Sequence, residues 1–140
     1  MKVLLDTHIL IWVLENNKAL SSHHKSILTD ANNEKIVSQI TFMEMAIKIN
    51  IGKLPDFKIS LNDFIQQVEK DGFNILRLKN SHITTYTSLP LVSDHRDPFD
   101  RFLIAIAISE NMSIITVDEK FKAYQQAFNT CPTKSPSFAA

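Results

Sequence analysis

Residues 97–108, Asp-Pro-Phe-Asp-Arg-Phe-Leu-Ile-Ala-Ile-Ala-Ile, constrain this chain more than any other stretch. Pro98 suits a first helical position, where its missing N–H costs nothing, and Asp97 before it is a good N-cap. The residues that follow are apolar nearly all round. A helix of that kind is buried on most sides rather than lying on a surface. Isoleucine alone would also fit a strand, but the cap, the proline and the two alanines decide for helix. Such a helix needs a layered fold around it, and its start brings Asp97, Asp100 and two arginines, Arg96 and Arg101, to the edge of a core.

Short apolar runs elsewhere read as buried parallel strands. Val3-Leu4-Leu5 ends on Asp6, and Ile114-Ile115-Thr116-Val117 ends on Asp118. Ile36–Ser38 and Phe73–Leu78 read as two further strands. Helical patterns fill the intervals: 7–15, 21–31, 41–51 opened by the capping-box spacing Thr41-Phe-Met-Glu44, 61–70 after Ser60, 80–88, and 119–124. Strands alternating with helices predict an α/β fold, a central parallel sheet with helices on both faces in three layers. In such a sheet the ligand site lies beyond the carboxyl ends of the strands, near a switch in strand order.

The chain has 140 residues, the size of one domain able to bury a core without staples. The reading is a single domain over residues 1–130, with 131–140 as a flexible tail that has two prolines and no periodicity. Fifteen acids balance fifteen Lys plus Arg, so phosphate attraction must come from a local patch. The single Cys131 excludes an internal disulfide and a cysteine-rich zinc site, and it points to a reducing, cytoplasmic setting. No apolar run approaches the roughly 20 residues that cross a bilayer, so no membrane is expected. Two glycines are too few for a phosphate-cradling loop or a dinucleotide fingerprint.

Asp6, Glu44, Asp97, Asp100 and Asp118 thus fall at strand ends or in first helical turns. Each also has a purely structural reading. Asp6, Asp97 and Asp118 could cap helices, Glu44 could close a capping box, and Asp100 could answer a helix dipole. Jointly they repel unless cations neutralise them. Mg²⁺ and Mn²⁺ prefer such oxygen donors, and a hard cation can activate water and steady charge on a phosphoryl group. Lys48, one turn after Glu44, reads as an ion pair or a phosphate contact, and so does Arg101 after Asp100. An aspartyl phosphatase would want a second acid two residues after Asp6, where His8 stands.

Leu4-Leu5-Asp6-Thr7-His8, Thr41-Phe-Met-Glu44-Met-Ala-Ile-Lys48 with Gly52-Lys53-Leu54, His95-Arg-Asp-Pro-Phe-Asp100-Arg101 and Thr116-Val-Asp118 together resemble the PIN-domain ribonucleases. The resemblance is to the VapC toxins of bacterial type II toxin–antitoxin pairs and covers about residues 1–124. It implies a PIN-like, Rossmann-like sheet and a Mg²⁺- or Mn²⁺-dependent endoribonuclease. It also implies an RNA substrate, a homodimer and a small antitoxin whose C-terminal segment fills the active-site groove. Carried onto this chain, the family's catalytic, metal-holding acids fall on Asp6, Glu44, Asp100 and Asp118. Asp97, Thr7 and Thr116 take assisting roles, and Lys48, Arg96 and Arg101 are the cations available to RNA phosphates. The family commonly ends in a short strand after the last acid, which Phe128-Asn129-Thr130 fits poorly. The other reading is a PIN module that binds RNA or a partner without catalysis.

Overall fold

Every strand of the sheet runs the same way, so all carboxyl ends open on one edge. The computed structural model describes residues 1–91, 97–122, 124 and 138–139. In chain order it gives β1 (Lys2–Leu5), α1 (Thr7–Glu15), α2 (Ser22–Thr29), β2 (Glu34–Ser38), α3 (Gln39–Asn50) and α4 (Leu61–Lys70). There follow β3 (Asn74–Leu76), α5 (Asn80–Tyr86), α6 (Pro98–Glu110), β4 (Ser113–Ile115), a 3-10 turn (Glu119–Phe121) and β5 (Phe138–Ala139). The sheet order is β3-β2-β1-β4-β5, and each neighbouring pair is parallel. Leu4 stands opposite Ile36 on one side and Ile114 on the other. The chain winds outward through β2 and β3, then returns across β1 to β4. The order therefore switches between β1 and β4, beside Asp6 and Thr116. This is the expected three-layer α/β fold.

Alternation along the strands divides the core between two faces. Val3, Leu5, Val37 and Ile115 turn toward Ile9, Leu10, Met45, Phe64 and Val68. Leu4, Ile36 and Ile114 turn the other way, toward Leu103, Ile104, Ile106 and Phe121 of the α6 layer. The α6 helix begins as its sequence predicts: Asp97 Oδ1 accepts from Phe99 N at 2.9 Å and Asp100 N at 3.2 Å. It stops at Asn111, whose φ of 55° is left-handed and ends the helical ladder.

Several boundaries differ from the sequence reading. Ser38, not Thr41, caps α3 through Ile40 N at 3.1 Å, so Glu44 lies beyond the first turn and closes no capping box. Thr116 and Val117 lie past the end of β4, and only Glu119–Phe121 form the 3-10 turn. Phe138–Ala139 pair with Ile114 and Ile115, a strand where a flexible tail was expected and some ten residues beyond Phe128–Thr130. The rest of that tail, residues 131–137 and 140, lies outside the described residues, as do His95 and Arg96.

α5 is bolted to α6 by polar contacts. His82 is fully buried; its Nδ1 accepts from Lys79 N at 3.0 Å, which leaves the neutral ring's proton on Nε2, 2.8 Å from Glu110 Oε1. Lys79 Nζ donates to the same oxygen at 2.8 Å. These hydrogen bonds, from Lys79 first and His82 second, hold the Glu110 carboxyl below its ordinary value against a smaller effect of burial. Glu110→Ala strands the buried imidazole N–H and is expected to cost about 1–3 kcal/mol. Because the folded pKa is depressed, Glu110's contribution is full above the ordinary carboxylate value and is lost as pH falls through the lower folded one. Urea unfolding of both proteins at pH 7 and pH 3 checks this: the difference should be present at the first and shrink at the second.

Candidate active site at the strand-order switch

Asp6 leaves β1 at the switch point. Its backbone N–H donates to Ile115 O at 3.0 Å, extending the ladder to the site. The side chain is 3% exposed; Oδ1 accepts from His8 N at 3.3 Å, capping α1, and Oδ2 accepts from Thr116 Oγ1 at 2.7 Å. Burial pushes the Asp6 pKa up, and the negative charge of Glu44 adds to that. The Thr116 hydrogen bond and His8 act in the opposite direction but do not cancel it. Thr116 Oγ1 in turn accepts from Asp118 N at 3.0 Å, so one threonine ties the two acidic strand ends together. The Asp118 side chain caps the 3-10 turn through Lys120 N at 2.9 Å.

Glu44 reaches the same place from α3 and is 4% exposed. Thr7 Oγ1 donates to its Oε1 at 2.8 Å, and Lys48 Nζ donates to its Oε2 at 2.6 Å. Thr41 Oγ1 lies 3.4 Å from Thr7 Oγ1 and is fully buried. The sequence reading gave Thr41 only a capping role, yet its spacing of three from Glu44 puts both on one helical face. Burial pulls the Lys48 pKa down, but the Glu44 hydrogen bond and the charges of Glu44, Asp97 and Asp100 outweigh it, and the net shift is upward. The negative charges at the start of α6 are thus felt at Lys48.

The residues named from sequence therefore fall into three groups. Asp6 with Thr116 and Glu44 with Thr7 form two buried hydrogen-bonded pairs, Asp118 joins the first through its backbone, and the Glu44 charge is felt at Asp6. Asp97 is exposed and Asp100 half-buried at the start of α6, both felt by Lys48. Arg101 belongs elsewhere: it is 6% exposed and turned away from solvent. Its Nε donates to Tyr86 Oη at 3.3 Å, and its Nη1 to Pro90 O at 3.0 Å and Tyr124 Oη at 2.8 Å. A guanidinium enclosed this way is not presented to a phosphate. This corrects the phosphate reading of Arg101.

Among the described residues, no three Asp, Glu, His or Cys side chains form a ready-made metal cage. The donor chemistry nevertheless fits a hard cation. Asp6 and Glu44 offer carboxylate oxygens flanked by threonine hydroxyls, and a positive charge would offset the cost that burial places on Asp6. No described helix is long and apolar enough to cross a membrane.

A family model for the PIN domain matches residues 3–126. Among solved structures, the chain is similar to VapBC2 from Rickettsia felis bound to a DNA fragment from their promoter (TM-score 0.66, 16% identity, 99% of this chain and 98% of that one). It is similar also to VapBC-1 from nontypeable Haemophilus influenzae (TM-score 0.62, 19% identity, 99% and 97%). VapBC-5 from Mycobacterium tuberculosis is a third such structure (TM-score 0.61, 14% identity, 99% and 98%). At these identities the likeness concerns the fold. No curated protein sequence matches the chain.

Proposed function

This chain belongs to the PIN-domain family, and from that premise we propose that it is a Mg²⁺- or Mn²⁺-dependent endoribonuclease, the toxin of a type II toxin–antitoxin pair. The observation that carries the reading is the buried Asp6–Glu44 pair at the strand-order switch, each carboxylate oriented by a threonine. Two buried carboxylates that repel each other are costly as architecture and useful around a divalent ion. Asp6 and Glu44 would hold the metal, with Asp100 and Asp118 completing the set. When bound, it supplies Lewis acidity and charge stabilisation for phosphodiester hydrolysis.

The chain's own residues do the rest. Thr7 and Thr116 fix the carboxylates, Asp97 orders the first turn of α6, and burial excludes bulk water from the pair. Lys48 and Arg96 remain the cations for RNA phosphates. An antitoxin and a second copy of the chain are the proposed partners, in line with the complexes named VapBC among the structural neighbours. Met43, Ile47 and Ile51 stand exposed along and just after α3, and Met43 also lines an open groove of about 640 Å³ with Phe42, Ala46 and Ile75. Apolar surface of this kind is what a partner covers.

One observation favours the non-catalytic alternative: Lys48 already neutralises Glu44, so that carboxylate is tolerable without a metal. Antitoxin-free protein incubated with RNA in Mg²⁺, Mn²⁺ or EDTA separates the two. Cleavage in the metals that EDTA abolishes is expected; metal-independent binding with no cleavage would replace the nuclease reading with the binding module.

A further inference from the structure

We propose that Lys48 is the built-in counter-cation of this site, and that a divalent ion binds by dislodging it from Glu44. The inference rests on the metal-dependent reading above. Glu44 has two oxygens and two kinds of partner: Thr7 holds Oε1 with a neutral hydroxyl, and Lys48 holds Oε2 with a full charge. The Glu44 side chain is 5% exposed whereas that of Lys48 is 33% exposed, so the carboxylate is buried while the lysine side chain has access to solvent. A buried carboxylate beside Asp6 needs a positive neighbour, and on α3 the residue one turn on supplies it.

The same placement opposes a metal in two ways. A divalent ion seeking Oε2 meets an oxygen already occupied by a donor, and it feels the repulsion of the ammonium charge. Lysine's flexible four-carbon stem lets its head swing to water, while Thr7 keeps the carboxylate aimed. Lys48 thus holds the metal-free site together and sets how tightly the ion binds. It is a positioning residue with a competitive charge.

The test reads metal binding rather than cleavage. Mn²⁺ titrations of the full chain by calorimetry, with melting curves in parallel, compare wild type with Lys48→Met, Lys48→Arg and Glu44→Gln. Lys48→Met is expected to melt lower without metal, to bind Mn²⁺ about tenfold more tightly, and to gain more in Tm from Mn²⁺. Lys48→Arg keeps the charge and should hold Kd within about twofold of wild type. Should Lys48→Met fail to fold, Lys48→Gln removes the charge and keeps a polar head. A lysine that merely braces the helix would lower Tm and leave Kd unchanged; unchanged or weaker binding in the uncharged variant overturns the proposal. Wild type that binds no Mn²⁺, like Glu44→Gln, overturns the metal reading as well, whereas wild-type binding without tightening overturns this inference alone.

Discussion

Exchanging Asp6 for asparagine is expected to lower metal-dependent RNA cleavage on the order of 10²–10³-fold or more, with the fold retained. Asparagine has nearly the same shape, and its oxygen can still accept from His8 N, so the cap of α1 survives. The amide nitrogen can donate to Thr116 Oγ1, which already accepts from Asp118 N and has a second lone pair. What disappears is the negative charge that a cation would bind. Because burial is the largest influence on the Asp6 carboxyl and disfavours its charged form, the neutral variant should be at least as stable as wild type without metal. Loss of cleavage beside an undiminished Tm separates a chemical role from a structural one. Cleavage within a few fold of wild type, in a folded variant, would sink the mechanism.

Arg101→Ala should show the reverse pattern, a large loss of stability and little direct effect on RNA contact. The side chain supplies three hydrogen bonds to groups on α5, on the segment after it and beyond the 3-10 turn. The guanidinium carbon also lies 5.1 Å from the Tyr86 ring centroid and 5.7 Å from that of Tyr124. Truncation leaves two phenols and a carbonyl short of a donor and opens a cavity at the base of α6. Together these amount to about 2–4 kcal/mol. Denaturant midpoints measure that loss. RNA affinity measured against salt tests the other half: a phosphate contact would reduce the slope by about one when removed, and an interior strut leaves it unchanged.

The two arginine readings show where the sequence stops being informative. Asp97 and Pro98 act on their own helix, so local chemistry was enough to place the start of α6. The apolar runs ending at Asp6 and near Asp118 were equally legible, because strand alternation and parallel order put such ends on one edge. Arg101 was not, since its partners Tyr86 and Tyr124 lie 15 and 23 residues away, and only folding brings them to it. The capping-box reading of Thr41 and Glu44 failed in a different way, while Glu44 stayed a candidate site acid. Thr41-Phe-Met-Glu44 has the spacing of a cap, but Ser38 begins α3 a turn earlier, and the glutamate points instead to Thr7, 37 residues back. β5 shows no signal of its own at all; a two-residue strand is defined by the Ile114–Ile115 edge it meets.

The partition of the interior by the sheet has a bearing on how the molecule can change. Leu4 and Leu5 are neighbours in sequence, yet one belongs to the α6 side and the other to the α1 side. Backbone lies between the two halves, so a repacked residue in one flank has few routes by which to strain the other. Variation can therefore reshape the flank carrying α1 and α4 while the opposite flank keeps its packing. α3 is the exception, since Ile40 packs in the α6 half and Met45 in the other, and there such independence stops.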